Sequence, residues 1–132
     1  MWMKGNKMSV YHIVINPAGA SGRTNECWDI IKKELDTIGV DYKVHLSNLE
    51  YGIKDIMKEL TSTNERVNII LIGGDGSMNL AVNGIVNFEK TYLGLIPCGS
   101  GNDLAKSLGI HGTEIECLHR ILNDQHGKDL DI

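Results

Sequence analysis

Val67-Asn68-Ile69-Ile70-Leu71-Ile72 runs directly into Gly73-Gly74-Asp75-Gly76-Ser77-Met78-Asn79, and Leu93-Gly94-Leu95-Ile96-Pro97 runs into Cys98-Gly99-Ser100-Gly101-Asn102-Asp103. Each is an apolar run of strand length that ends in glycines and hydroxyls and leads into a helical pattern. Strands this apolar belong in a sheet covered by helices on both faces. In an open parallel sheet, ligands bind beyond the carboxyl ends of strands, where helices begin. Two such turns side by side make a floor for phosphate.

The flanking sequence supports that sheet. Val10 to Asn16 is a β-rich run closed by Pro17, and Ala18-Gly19-Ala20-Ser21-Gly22 is a loop of small residues that lets backbone approach a ligand. Cys27, Trp28, Ile31, Leu35 and Ile38 predict a helix over 25–38 that stops at Gly39. Residues 40–46 alternate as a second strand ending at Ser47-Asn48, and Ile53, Ile56, Met57 and Leu60 mark a second helix. A third helix, with Met78, Ala81, Val82 and Ile85, begins at about Ser77. Leu104, Ala105 and Leu108 mark a short helix, and Thr113-x-x-Glu116 is a capping box opening the next. Asp129 to Ile132 alternates like the start of another strand. The order β-α-β-α-β-α-β-α-α-β predicts an α/β fold: a three-layer, Rossmann-like, mostly parallel sheet with right-handed crossovers. Residues 1–9 read as a loose leader and 10–132 as one domain, whose end inside a strand pattern suggests a piece of something longer.

Composition narrows the function. The chain has 132 residues, 42% hydrophobic and 23% charged, which is ordinary for a globular domain. A formal net charge of −4 argues against non-specific nucleic-acid binding, and the few aromatics (one Phe, four Tyr, two Trp) argue against a base-stacking platform. Three cysteines with no CxxC pair predict a reducing compartment and no disulfide framework; Cys98 beside the second turn is either a reactive thiol or, the favoured reading, a small residue filling space behind it. The five histidines show no metal-ligand spacing, and no stretch approaches the ~20 apolar residues of a membrane span.

Gly73-Gly74-Asp75-Gly76-Ser77 has the parts of a polyphosphate cradle. Its glycines allow positive φ and leave backbone N–H groups uncovered, the helix dipole points into the same space, and Ser77 and Asn79 add side-chain donors. It is not a Walker loop, since no Gly-Lys-Ser/Thr follows, nor the dinucleotide fingerprint, since Asn79 stands where the last glycine would. The alternative is a tight ligand-free connection, but recurrence of the pattern at Gly99 to Asn102 favours phosphate. Asp75 is a candidate to position Mg²⁺ or to take a proton from an attacking hydroxyl. Asn102 and Asp103 read as helix caps, and Arg23 and Lys106 as cations that either offset phosphate or sit in solvent.

Asn16-Pro17, GGDGS with Asn79, Val82-Asn83-Gly84, and Leu95-Ile96-Pro97-Cys98-Gly99-Ser100-Gly101-Asn102-Asp103 with Ala105 resemble the diacylglycerol kinase catalytic domain, a family that includes bacterial lipid kinases, sphingosine kinases and ceramide kinases. The likeness spans Val10 to Ile132, in order and spacing. It implies the N-terminal nucleotide-binding domain of a lipid kinase, with a fold like that of NAD kinases and phosphofructokinases. It further implies ATP contacts from Asn16, Pro17, Ala18, Gly19, Ser21, Gly22, Ser47, Gly73, Gly74, Asp75, Gly76, Ser77, Met78, Asn79 and Ser100. Family members carry threonine where Ser77 and Ser100 stand and glutamate where Leu80 stands, and their first loop is commonly one residue shorter. They continue into a second, mostly β domain with the catalytic base, most of the metal site and part of the lipid cleft.

The expectation is therefore a domain that binds MgATP in an enzyme phosphorylating a hydroxyl of diacylglycerol or a related lipid, the fragment alone being inactive. The implied partners are ATP and the lipid, with transient membrane contact, no nucleic acid, and self-association left open; the implied location is cytoplasmic, peripheral to the membrane. The alternatives are an NAD kinase-like or other small-molecule kinase, which shares the GGDG turn, and a non-catalytic nucleotide-binding module.

Overall fold

A computed structural model describes residues 10–98, 109–110 and 112–123, with the side chains of Ala20 and Ser21 not described. The leader, the second glycine turn with Ser100, Asn102 and Asp103, Lys106, the short helix at 104–108 and the strand pattern at 129–132 lie outside the described residues.

Four strands, β1 (Tyr11–Ile15), β2 (Tyr42–Leu46), β3 (Val67–Gly73) and β4 (Thr91–Pro97), form one sheet in the order β2-β1-β3-β4, every pair parallel. The α-helices among the described residues are α1 (Arg23–Ile38), α2 (Ile53–Thr61), α3 (Asp75–Gly84) and α4 (Glu114–Asn123). Alternation along the strands sorts the core into two halves. Val14, Ile69, Leu71 and Leu95 meet Ile53, Ile56, Met57, Met78 and Ala81 on the α2–α3 face. Ile13, Ile15, Ile70, Ile72 and Ile96 meet Ile31, Leu35 and Leu118 on the α1–α4 face. β3 thus carries buried side chains on both faces, as its sequence requires.

Two close approaches set the layer spacing. A Cβ on Gly84 would stand 2.6 Å from the carbonyl oxygen of Lys54, so α3 lies directly on α2 there. A Cβ on Gly94 would meet Ile121 at 2.6 Å, where α4 crosses β4. The capping box forms as expected, with Thr113 N–H donating to Glu116 Oε1 at 2.8 Å and Glu116 N–H to Thr113 Oγ1 at 3.1 Å.

Two expectations are corrected. α3 begins at Asp75, two residues earlier than the apolar stripe indicated, because Gly74 in extended backbone (φ −99°, ψ −167°) already serves as its cap. The cysteines are not all thiols: Cys27 of α1 is bonded to Cys98, with Cα atoms 6.6 Å apart and 71 residues between them in sequence. Both are buried on the α1–α4 face, a proximity created by packing that no spacing motif announces.

Candidate functional site

Strand register brings the site residues together. Ile15 is level with Leu46 on one side and Ile72 on the other, and Ile72 is level with Ile96. The next residues, Ser47, Asn16, Gly73 and Pro97, therefore form one row across the carboxyl end of the sheet. Adjacent strands stand about 4.8 Å apart, so the row is about 14 Å wide. From β1 the chain goes first to β2 on one side, then to β3 on the other, which puts the topological switch between β1 and β3. Doubly wound sheets open a crevice at that point. The loop after β1 and the turn after β3 are its two walls.

The first wall is a 3₁₀ turn, Gly19–Gly22, leading into α1. Asn16 shapes it by accepting the N–H of Ala18 on Oδ1 (3.2 Å) and that of Gly19 on its carbonyl oxygen (2.9 Å). Fully buried Thr24 holds it from below, its hydroxyl donating to the Gly19 carbonyl oxygen at 3.1 Å. Gly22 caps α1 at φ +87°, a left-handed conformation that disfavours any β carbon. Pro17 is partly buried, and Ala18 and Gly22 are exposed.

The second wall is the GGDG turn. None of its glycines is among those with positive φ, so the expected need for left-handed backbone is corrected here to a need for room. A Cβ on Gly73 would stand 2.9 Å from Ser77 Cβ, and one on Gly74 would stand 3.2 Å from the carbonyl oxygen of Cys98. Among the described residues, a Cβ on Gly76 would meet nothing within 4 Å. The first ladder bond of α3 runs from Met78 N–H to Gly74 O at 3.0 Å, which leaves the N–H groups of Asp75, Gly76 and Ser77 outside the ladder, at the positive end of the helix. Asp75 is half-buried and Asn79 exposed on this turn, while Ser77 is nearly buried at 9% exposure. Met78 leaves the candidate set: its side chain is fully buried in the α2–α3 core and its N–H is spent on Gly74.

Backbone bonds fasten the row. Ser47 N–H donates to Ile15 O at 2.9 Å, and Cys98 N–H to Gly73 O at 2.8 Å. Asn48 folds the loop after Ser47 by accepting the N–H groups of Glu50 and Tyr51 on Oδ1. Asn16, Gly19, Gly22, Ser47 and Gly73–Ser77 thus share one rim. Thr24 and the Cys98 backbone were missed in the sequence because their parts depend on the loop path and on β3–β4 register. A hydroxyl two residues after a loop glycine was the available hint for Thr24.

The arrangement suits an anionic, extended ligand: helix N-terminal N–H groups, an uncovered glycine and hydroxyl and amide side chains converge on a crevice. Among the described residues no group of three or more His, Cys, Asp and Glu could hold a metal ion. Asp75 could add one ligand to an Mg²⁺ held mainly by phosphate oxygens and water. A separate hollow of about 360 Å³, lined by Thr61, Ser62, Thr63, Asn64, Val86 and Asn87, adjoins the end of α2. The sequence there leads into the start of β3, at the opposite end of the sheet.

Residues 10–132 match the diacylglycerol kinase catalytic domain family. A diacylglycerol kinase of Bacillus subtilis is 33% identical over 111 residues, covering 78% of this chain and 34% of its own length. Human sphingosine kinase 2 is 25% identical over 107 residues, covering 76% of this chain and 16% of its own length. The crystal structure of a diacylglycerol kinase from Bacillus anthracis superposes on 81% of this chain and 39% of its own, with a TM-score of 0.64 at 24% identity. The chain spans about a third of the length of the bacterial relative and less of the human one.

Proposed function

The chain belongs to the diacylglycerol kinase catalytic domain family, and from that premise we propose that its crevice binds the triphosphate of MgATP for phosphoryl transfer to a lipid hydroxyl. The observation that carries this reading is the start of α3, where a Cβ on Gly76 would meet no described residue and the N–H groups of Gly76 and Ser77 precede the first ladder bond, facing the Asn16–Gly22 loop across the switch point. Phosphoryl transfer needs mainly positioning and charge neutralisation, and this rim supplies the positioning. Asn16, Gly19, Gly22, Ser47, Gly73–Ser77 and Asn79 would hold the nucleotide, with Ser21 and Ser100 assigned by the family resemblance. Asp75 would orient water on Mg²⁺ rather than act as the base. The lipid acceptor is diacylglycerol or a relative, and the enzyme meets it at a membrane surface; among the described residues no helix is long and apolar enough to cross one. A bacterial relative of which the match covers 34% supports a chain that holds nucleotide but does not turn over alone.

Calorimetric titration with MgATP tests the nucleotide half. Millimolar or tighter binding that is lost in Gly76→Val, with the circular dichroism spectrum unchanged, is expected. No heat from this chain or from a form extended by another domain's worth of residues would overturn it. Radiolabel transfer from ATP to diacylglycerol in mixed micelles, by the extended form only, tests the lipid half. Transfer to NAD instead would favour the small-molecule kinase reading.

A further inference from the structure

The Cys27–Cys98 bond lies where the walls of the crevice meet the core. Cys27 is on the second turn of α1, the helix that continues the first loop, and Cys98 follows the last residue of β4. The Cys98 backbone is also held against the GGDG turn, by its N–H to Gly73 O at 2.8 Å and by its carbonyl oxygen against Gly74. One covalent bond therefore ties the helix behind the first wall to the backbone that buttresses the second. The reduced state also has partners waiting. Glu114 Oε2 stands 3.7 Å from Cys27 Sγ, where it can accept a hydrogen bond from a thiol. Cys117, buried in the same apolar cluster, keeps its thiol, and Arg120 donates to its sulfur at 3.5 Å.

We propose that Cys27 and Cys98 form a reversible redox latch on the crevice, closed by a hydroperoxide and opened by a dithiol, the closed form binding nucleoside triphosphate more tightly. The ligand named here rests on the proposed function. In closing, one thiolate attacks the O–O bond; an S–O bond forms, the O–O bond breaks and an alcohol, or water from hydrogen peroxide, leaves. The second thiol attacks the resulting sulfenic sulfur, forming S–S and releasing water, so two sulfurs give up the two electrons that reduce the peroxide. In opening, a dithiol displaces each sulfur in turn and leaves as its own cyclic disulfide. A closed latch prevents α1 and the end of β4 from separating, and a cradle already ordered pays less on binding.

The test compares the 132-residue chain after hydrogen peroxide with the same chain in dithiothreitol. Thiol titration should count one thiol in the first state and three in the second, and non-reducing peptide mapping should join the Cys27 and Cys98 peptides. Amide exchange at 16–24 and 73–78 should slow on oxidation, and MgATP should bind about fivefold tighter. Cys27→Ser, with the melting temperature of the reduced chain, should lose all response to peroxide. Linkage through Cys117, no linkage, or identical exchange in the two states would overturn the latch. Equal MgATP affinity with the bond formed would overturn it while leaving the nucleotide reading intact. No MgATP binding in either state, with the exchange difference present, would overturn the nucleotide reading and support a latch acting on the loops themselves.

Discussion

The two walls of the crevice both rely on glycine, for different physical reasons. In the loop after β1, Gly22 is needed for its conformation: it sits at φ +87° with open space around it. In the turn after β3, Gly73 and Gly74 have ordinary backbone angles and are needed for space, against Ser77 and the Cys98 carbonyl oxygen. Gly76 belongs to neither class, since none of the described residues occupies the place of its side chain. At the mouth of the crevice, that glycine leaves room beside the start of α3. The walls are also held differently: the first by side chains, Asn16 and Thr24, and the second by backbone register with β4.

Substitutions separate these reasons. The largest effect is expected from Gly73→Val, whose Cβ at 2.9 Å from Ser77 must push the start of α3; urea unfolding should show a loss of about 2–3 kcal/mol. Gly73→Asn should be no better, because the obstacle is volume. Gly22→Ala should cost about 1–2 kcal/mol through the left-handed backbone alone, and Gly22→Asn should recover most of it, since asparagine tolerates that region. Equal penalties for the two asparagine variants would erase the distinction. Thr24→Val keeps the shape but orphans the Gly19 carbonyl, at about 1 kcal/mol, and should loosen the first loop in hydrogen exchange without touching the second.

Gly76→Ala should act in opposite directions on fold and ligand. With open space at its Cβ it should stabilise α3 by about 0.5 kcal/mol, yet weaken MgATP binding about tenfold. Destabilisation with unchanged binding would place the ligand elsewhere.

The smallest effect concerns β1 and β2, which carry the first wall and Ser47. His12 Nδ1 lies 3.0 Å from His45 Nε2 between β1 and β2, and burial, with neighbouring positive charge from Lys43, lowers both pKa values; Glu59 opposes this at His45. The unfolded chain then takes up protons first as pH falls through about 6.5, so stability must decline on acidification and be fully present above that range. A melting temperature lower at pH 5.5 than at pH 7.5, with a flatter profile in His12→Gln, is expected; a rise on acidification would contradict it.

The contrast between the walls also shows which features a sequence displays. Strand and helix stripes such as Val67–Ile72 and Ile53–Leu60 are local periodicities, and the Thr113–Glu116 box is a local exchange of hydrogen bonds, so all three could be read directly. The GGDG turn was legible as a candidate cradle because glycine and hydroxyl types are written in the chain. What each glycine does was not, because φ at Gly22 and crowding at Gly73 and Gly74 depend on where Thr24, Ser77 and Cys98 come to lie. Met78 reads both as apolar stripe of the third helix and, through the family resemblance, as an ATP contact; its full burial fits the stripe. The Cys27–Cys98 bond spans 71 residues and arises from packing α1 against the sheet end, which no short-range pattern encodes.

The proposed function requires triphosphate to lie between these two walls. Titrating MgATP into the isotope-labelled chain while following backbone amide resonances tests it most directly. Shifts concentrated in Asn16–Gly22, Ser47 and Gly73–Ser77, absent in Gly76→Val, are the predicted result. Saturable shifts confined to the Thr61–Asn64 end of the molecule, or none at millimolar nucleotide, would contradict it.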